Sequence, residues 1–457
     1  MRRPYKTPVA RAFPEMRDLP PQVSKLVIFL LRVFGKLYLF LYFGVTKVVM
    51  RGENHFFDAY ARAMALKSRC ILAFRHPNGG EPQLLTIYSI CDFEKWGRRK
   101  GVRFARRPHS AFVYSYDVVR WGGWVSRFIM PGVGAMPIYH AKLDSKSMAQ
   151  IFASIIDGPY PLALAPEGKV SYTAESLPRL EQGVVRIGFQ AAERLAEKHA
   201  DCPLEILPLS VHFRFGSFGN VTVERLLRKT EKLCGLSGRD AKKRPFAERL
   251  RRCRDHVLEV NEARYGIKAD AGGEPSFGER LEKMVYAALE TAEKIMNAGN
   301  GGDVVTRMHR VNQMCWDRIY VPGLESFKGT TAVEWGTMDV QAGEAWYARR
   351  HIGMVELCWW FRFALPKEDA ALHEKAEYVQ NLWDFANRTM GGAFKDRICV
   401  SPRKVILQAG PAIDLTERLS AYKSDKKGTI ATTLSDLEKS FRDCIAAAAE
   451  VKDSSKI

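Results

Sequence analysis

The sequence predicts an α/β domain whose sheet is flanked by helices, preceded by an amphipathic helix and followed by a mostly helical region. Short apolar runs alternate with helical patterns up to about residue 225, which is typical of a largely buried sheet covered by helices. A long apolar segment begins at Leu26, ahead of the first buried strand. After Thr230 the pattern becomes mainly helical.

Each predicted strand in the α/β region is a short apolar run that ends in polar residues, glycine or proline. The strands are predicted at residues 70–74, 110–116, 134–139, 161–165 and 204–213. Helical patterns lie between them at residues 82–91, 145–156 and 183–199. Pro82 suits the first turn of its helix. Functional side chains are therefore expected on loops at strand ends.

The domain organisation follows from these changes in pattern. Residues 1–50 form a basic segment with the amphipathic helix, and residues 51–230 form the α/β domain. A basic, glycine-containing linker is predicted at residues 231–275. A mostly helical domain is predicted at residues 276–457, with amphipathic helices at Phe277–Met296 and Leu434–Val451.

The charge of the chain is concentrated in three stretches. The 457 residues carry a net charge of +19. Residues 1–51 have 10 basic and 2 acidic side chains, residues 95–107 have 7 and none, and residues 239–254 have 8 and 2. Such stretches suit nucleic acid, a phospholipid surface or a phosphorylated cosubstrate, or they are simply solvated faces. The hydrophobic fraction of 46% is that of a globular protein and argues against a disordered or polytopic membrane protein.

The apolar segment from Leu26 to Gly44 is interrupted by two cations, and its longest uncharged run is residues 37–46. That run is shorter than the roughly 20 residues that a membrane span needs. At helical spacing, one narrow stripe contains Lys25, Arg32, Lys36 and Lys47. A helix of this kind lies in a membrane interface and directs its cations to lipid phosphates. The alternative is a buried helix of a soluble domain. A secretory signal is disfavoured.

The 9 cysteines form no C-x-x-C pair. Their odd number and wide spacing predict reduced thiols in a cytosolic compartment, without a disulfide framework or a structural zinc site.

His76 and Glu81 are the first candidate for chemistry, because they flank a Pro/Gly-rich turn between a strand and a helix. A neutral imidazole accepts a proton near pH 7, and a carboxylate orients the ring and stabilises the cation that forms. Backbone N–H groups at the helix start are available to an anion. The second candidate is the turn that contains Glu167 and Gly168, where glycine lets a ligand approach the backbone.

Five blocks of the sequence together resemble, in order, the motifs of the glycerolipid acyltransferases related to 1-acylglycerol-3-phosphate acyltransferase. They are His-Pro-Asn-Gly-Gly-Glu (76–81), Gly-Ala-Met-Pro-Ile-Tyr-His (134–140), Ala-Pro-Glu-Gly (165–168), Glu-Gln-Gly (181–183) and Ile-Leu-Pro-Leu-Ser (206–210). The resemblance implies that His76 is the base that deprotonates an acceptor hydroxyl, which then attacks an acyl thioester. It also implies that Glu167 and Gly168 help to hold the acceptor.

The sequence departs from that family in three places. Glu81 replaces the usual aspartate and is one methylene longer. His140 and Val170 stand where the second and third blocks usually have the arginines that bind the acceptor phosphate. The cations that could substitute by reach are Lys142, Lys169, Arg179 and Arg186; a lysine lacks the bidentate fork of arginine.

The resemblance and the basic helix together predict a membrane-associated O-acyltransferase on the cytoplasmic face. Its partners would be an acyl-CoA or acyl-carrier-protein donor, a lysophosphatidate or glycerol 3-phosphate type acceptor, and an anionic membrane surface, without a metal or redox cofactor. Two alternatives stay open. The acceptor is a phosphodiester or amino-acid-containing lysolipid, or the chain is a catalytically silent protein that binds lipid or, as the less favoured partner, nucleic acid.

Overall fold

The structure of the protein is a computed structural model. It describes residues 11–16, 19–116, 118–119, 122–138, 145–199, 201–238, 240, 243–268, 275–360, 364–393 and 396–453. The chain divides into two compact units. The α/β unit contains residues 19–138, 144–219 and 401–457, and the helical unit contains residues 1–18, 139–143 and 220–400.

The strands, in chain order, are β1 (Phe13–Pro14), β2 (Val45–Arg51), β3 (Arg69–Phe74), β4 (Ala111–Ser115), β5 (Met136–Ile138), β6 (Leu162–Leu164), β7 (Leu204–Phe215), β8 (Tyr320–Val321), β9 (Arg403–Ala409) and β10 (Ile413–Asp414). The helices are α1 (Lys25–Phe43), α2 (Glu53–Met64), α3 (Glu81–Tyr88), α4 (Glu94–Arg99), α5 (Gly123–Gly132), α6 (Ser145–Ile156), α7 (Gly183–Lys198), α8 (Ser217–Leu233), α9 (Phe246–Tyr265), α10 (Phe277–Met296), α11 (Val304–Ile319), α12 (Ala332–Trp360), α13 (Leu372–Thr389), α14 (Leu419–Ser424) and α15 (Lys426–Ala449). A single π-helical turn, Ser89–Phe93, joins α3 to α4.

The α/β unit contains a mostly parallel, eight-stranded sheet in the order β2-β9-β7-β3-β6-β4-β5, with β10 paired to one end of β7. Within the described residues, the β7–β9 and β7–β10 pairs are antiparallel and the other pairs of this sheet are parallel. β7 is buried along its whole length, as expected for a central strand covered on both faces. The α/β class and all five predicted strands are confirmed, and so are the helices at residues 145–156 and 183–198.

One face of this sheet packs against α6 and α7 and against the chain's last two helices. Phe189 of α7 stacks on Tyr422 of α14, with ring centroids 4.4 Å apart. Leu437 and Phe441 of α15 are fully buried in the same cluster. The C-terminal end of α15 is held by Arg214, whose guanidinium donates to the carbonyls of Ala448 and Val451 at 2.8 and 2.6 Å.

The helical unit comprises α8 from residue 220 onward, the helices α9–α13, and the short parallel pair of β1 with β8. α10 begins with a capping box in which Ser276 and Glu279 exchange hydrogen bonds, as the sequence pattern predicts. Charged groups between its helices are paired: the buried Arg249 donates to both Glu231 and Glu224 at 2.8–3.0 Å. Part of the basic stretch at residues 239–254 therefore stabilises this unit.

Three predicted boundaries differ from the structure. The break predicted after residue 50 falls inside β2, and residues 19–50 belong to the α/β unit. Residues 231–275 are not simply a linker, because they contain the 20-residue helix α9. The predicted C-terminal domain does not extend to residue 457, because β9 lies inside the sheet between β2 and β7. The pairing of β9 depends on strands that are remote in sequence, and local pattern gives no information about it.

We expect the α/β unit to depend on its C-terminal residues. A chain that ends at Val400 lacks β9 and α15, so β2 and β7 lose a shared neighbour and Arg214 loses its carbonyl acceptors. Hydrogen exchange should then show loss of protection in β3 and β7, while a chain that lacks only residues 454–457 should keep it. Full protection in the shorter chain would contradict the observed sheet order.

Candidate active site

His76 and Glu81 form a hydrogen-bonded pair at the carboxyl end of β3. The His76 Nδ1 lies 2.7 Å from the Glu81 Oε2. A carboxylate only accepts, so Nδ1 carries the proton and the lone pair is on Nε2. The His76 side chain is 17% exposed, whereas that of Glu81 is 2% exposed. The histidine is therefore the member of the pair that a substrate can reach.

The position of Glu81 at the start of α3 favours its ionised form. Burial by itself raises the pKa of this carboxyl group, but the hydrogen bond and charge of His76 and the backbone N–H groups of Glu81 and Gly79 outweigh it, so the pKa is lowered. The Gly79 N–H donates to the same oxygen as His76, at 2.8 Å. The positive end of the helix dipole acts in the same direction. Glu81 is thus a fixed anion that holds the imidazole in one tautomer.

Glycine is required in the turn that carries this pair. Gly79 has a φ of +100°, which L side chains rarely adopt. At Gly80, an added Cβ would lie 2.7 Å from the ring of Phe43. Phe43 is the last residue of α1, so the N-terminal helix packs directly against the start of the helix that begins with Glu81.

A fully buried ion pair supports the backbone of His76. The Arg75 Nε donates to the Glu167 Oε1 at 2.8 Å, and neither side chain has exposed surface. The other carboxylate oxygen, Oε2, accepts the backbone N–H of His76. The His76 carbonyl accepts the N–H of Ser171 at 3.0 Å. The turn after β3 and the turn after β6 are therefore joined on both sides of His76.

Arg75 also fixes the loop that follows Glu167. Its Nη atoms donate to three backbone carbonyls, those of Thr173 at 2.7 Å, Ala174 at 3.1 Å and Ser176 at 2.9 Å. The sequence analysis missed Arg75, although an arginine directly after a buried strand and next to a candidate base is an available signal. Its burial follows from the packing of this loop, which is not evident from the sequence.

The structure corrects the expectation that Glu167 contacts the acceptor. Its carboxylate is fully buried and accepts from Arg75, the His76 backbone and the Ser171 hydroxyl. Glu167 therefore holds the backbone of His76 in place and has no exposed surface for an acceptor. Gly168 has a φ of +69°, and an added Cβ would lie 2.5 Å from the carboxylate of Glu181, so this glycine permits the close approach of Glu181.

The structure describes three of the cations predicted to bind the acceptor phosphate. Lys169 is partly exposed on the loop after β6, and Arg179 and Arg186 are exposed. His140 and Lys142 lie outside the described residues. No group of three or more His, Cys, Asp or Glu side chains that could hold a metal ion occurs in the part of the chain that the structure describes.

A second histidine cluster lies inside the sheet. The Ser210 Oγ lies 2.8 Å from the His212 Nε2, and the His212 Nδ1 lies 3.4 Å from the Glu175 Oε1. Ser210 and His212 have no exposed surface, and burial lowers the pKa of His212. The order serine, histidine, carboxylate has the form of a nucleophilic triad, but a hydroxyl without exposed surface cannot reach a substrate.

Helix α1 exposes an apolar face beside this site. It packs against α3 at Gly35, where an added Cβ would lie 2.8 Å from Ile87, and against α5 at Val27. Its exposed large apolar residues are Leu26, Phe29, Val33, Phe34, Leu37, Phe40, Leu41 and Tyr42. With 19 residues and a mean hydropathy of 2.0, α1 is long and apolar enough to cross a membrane, and only 17% of it is buried.

The cationic stripe predicted for this helix is only partly correct. α1 ends at Phe43 and is followed by Gly44 in the left-handed conformation, so Lys47 belongs to β2 and leaves the stripe. Lys36 forms an ion pair with Asp92 at 2.7 Å. Beyond Asp92, the exposed cations of the basic stretch at residues 95–107 are Lys95, Arg98, Arg99, Lys100, Arg103 and Arg107. Two of these cations are paired, Arg98 with Glu94 and Lys100 with Glu53.

The Arg75–Glu167 pair should be essential for stability. Glu167→Gln keeps the shape but leaves a buried guanidinium without its counter-charge, so we expect the free energy of unfolding to fall by about 3–5 kcal/mol in urea denaturation. Glu94→Gln, which breaks an exposed pair with Arg98, should cost less than about 1 kcal/mol. Equal effects of the two substitutions would mean that the buried pair has no special role.

No family model, curated protein or solved structure matches the chain.

Proposed function

We propose that this chain is a membrane-associated O-acyltransferase. It transfers a fatty acyl group from acyl-CoA or acyl-carrier protein to the hydroxyl of a glycerophospholipid acceptor. The observation that carries the proposal is the His76–Glu81 pair, in which a buried carboxylate orients an accessible imidazole at a strand end. The order of the sequence blocks supports the proposal, and on that basis the α/β unit has the fold of a lysophospholipid acyltransferase domain.

The reaction uses the two ring nitrogens of the His76 imidazole. The acceptor hydroxyl donates its proton to the His76 Nε2 while its oxygen attacks the thioester carbonyl. Glu81 stabilises the imidazolium that forms, because its carboxylate lies against the Nδ1–H. The tetrahedral intermediate then expels the thiolate, which takes the proton from Nε2. The C–S bond is replaced by a C–O bond, and the products are an acyl ester and a free thiol.

The acceptor follows from the same resemblance. A lysophosphatidate or glycerol 3-phosphate type acceptor is the leading candidate, and a phosphodiester or amino-acid-containing lysolipid is the alternative. Lys169, Arg179 and Arg186 are described cations that remain candidates for the phosphate. Steep salt dependence of binding without thiol release would favour the catalytically silent alternative.

The exposed face of α1 supports a monotopic attachment to a membrane. The cytoplasmic face is proposed from the sequence alone, because the 9 cysteines form no C-x-x-C pair and suit a reducing compartment. α1 is held along the α/β unit by Val27, Gly35 and Leu39, which are buried, so lipid would cover one side of the helix. The basic stretch at residues 95–107 suits anionic lipid headgroups. The neighbouring helix α5 also exposes apolar side chains, among them Trp124, which is 79% exposed.

The mechanism predicts the effect of removing the base. His76→Ala should lower acceptor-dependent thiol release from a long-chain acyl-CoA by about 10²- to 10⁴-fold without unfolding the protein. Release is measured with vesicles and with lysophosphatidate, glycerol 3-phosphate or lysophosphatidylcholine as the acceptor. His55→Ala, at an exposed histidine of α2, is the matched control. A His76→Ala enzyme of normal activity would exclude this mechanism.

The attachment to membranes is tested separately. About half of the surface of Phe29, Leu37 and Phe40 is exposed and would enter lipid. Replacing the three residues by serine removes that share of their burial energy. Binding to anionic phospholipid vesicles, measured by sedimentation, should therefore weaken about a hundredfold. Val340→Ser, at a residue of α12 that is 64% exposed, should leave binding unchanged. Unaltered sedimentation of the triple variant would show that α1 is not the attachment surface.

A further inference from the structure

Helix α5 leaves most of its apolar side chains uncovered. It connects β4 to β5, which are parallel neighbours, and a helix in such a connection ordinarily packs its apolar side on the sheet. Of its ten residues, all of which the structure describes, Gly132 is buried. Trp124 is 79% exposed, Phe128 48% and Val125 45%. Covering the sheet is therefore not what the apolar residues of α5 do.

The last turn of α5 is fixed instead to the start of α1. The backbone N–H of Gln22 donates to the carbonyl of Pro131 at 2.9 Å, and that of Ser24 donates to the carbonyl of Gly132 at 2.8 Å. An added Cβ at Gly132 would lie 2.5 Å from the Cγ2 of Val27, so glycine is needed for this close contact. The two helices are therefore held together, and their exposed residues belong to one part of the α/β unit.

The exposed apolar residues of the α/β unit are concentrated on these two helices. Twelve of the large ones described in this unit lie within residues 23–42 and 124–128, which we call the α1–α5 surface. Two others, Leu66 and Phe218, lie elsewhere. An apolar surface of this extent is unusual on a monomeric soluble protein and marks a membrane or protein interaction site.

The charges of the α1–α5 surface favour an anionic phospholipid bilayer. The two helices contain no Asp or Glu, and their cations are Lys25, Arg32, Lys36 and Arg127. Lys36 is paired with Asp92 of the π-helical turn, and within the described ranges the other three form no ion pair. Apolar side chains accompanied by cations match the interface of an anionic membrane. An exposed tryptophan is also typical of that interface.

The α1–α5 surface is connected to the edge of the sheet that carries the candidate base. β3, β6 and β4 are parallel neighbours, so their carboxyl ends lie at one edge. His76 follows β3, Glu167 follows β6, and the chain leaves β4 at this edge to enter α5. At the other end of the surface, the ring of Phe43 in α1 lies against Gly80 in the turn after His76.

We propose that α5 enters the same phospholipid bilayer as α1, and that the two helices together hold the sheet edge with His76 against the lipid. A single interfacial helix leaves the unit free to turn about the helix axis, whereas two helices fix its orientation. The consequence for catalysis rests on the proposed acyltransferase function. The acceptor hydroxyl reaches the His76 Nε2 while the acyl chain of the acceptor stays in the bilayer.

Contact of α5 with lipid is measured by tryptophan fluorescence of the full-length protein. The probe is a vesicle of phosphatidylcholine and phosphatidylglycerol with brominated acyl chains, which quench a tryptophan that lies in the bilayer. Trp124→Phe keeps an aromatic side chain but should lower the quenched fraction. Trp335→Phe, at a residue of α12 that is 44% exposed, is the matched control and should leave it unchanged. Equal quenching of the wild-type and Trp124→Phe proteins would overturn the proposal.

The orientation of the site is tested by the KM for two forms of the acceptor. Trp124→Ser combined with Phe128→Ser removes exposed apolar surface, so the fold should be kept. The KM for a long-chain lysolipid in vesicles should rise about 10- to 100-fold, whereas the KM for a short-chain acceptor dissolved in water should not change. Val333→Ser combined with Val340→Ser on α12 is the control. An unchanged KM for the acceptor in vesicles would contradict the proposed orientation.

The two measurements separate this proposal from the proposed activity. If acceptor-dependent thiol release occurs and neither the quenching nor the KM depends on α5, the role of α5 is refuted while the acyltransferase stands. If Trp124 is quenched by brominated lipid but no acceptor supports thiol release, α5 is a lipid contact and the acyltransferase is refuted.

Discussion

The ion pair between Arg75 and Glu167 is the interaction on which the candidate active site depends. It joins the turn after β3 to the turn after β6, and its carboxylate also accepts the backbone N–H of His76. Neither side chain has exposed surface, so water cannot replace either partner if the pair separates. The two side chains are therefore held in one arrangement. The imidazole of His76 is consequently presented from a fixed backbone, and Glu81 fixes the ring orientation from the opposite side.

The apolar helix α1 is part of the same arrangement. Gly35 lets it approach Ile87 of α3, and Gly80 accepts the ring of Phe43 at the point where α3 begins. The Phe43 carbonyl in turn accepts from Arg403 of β9. The helix with the exposed apolar face, the helix that carries Glu81 and the strand β9 therefore meet in one small region.

Local sequence patterns predicted the elements of the α/β unit well. The strands near residues 70, 111, 136, 162 and 204 and the helices at residues 145–156 and 183–198 are short-range features, set by apolar runs and by helical periodicity. The helix at residues 277–296 has the predicted bounds. The prediction of a linker at residues 231–275 was wrong. The many charged residues of α9 are typical of a solvated loop in the sequence, whereas in the structure Arg249 of this helix is buried and paired with Glu231.

The sequence by itself determined the α/β class and the pairing of His76 with Glu81, because both depend on residues close together in the chain. Five positions separate these two side chains, and a strand-turn-helix connection brings them within 2.7 Å. The tertiary structure decided the role of Glu167, the burial of Arg75 and the presence of Arg403 at the site. These depend on contacts between residues about 90 to 360 positions apart, and such contacts arise from strand order and packing, which leave no local pattern in the sequence.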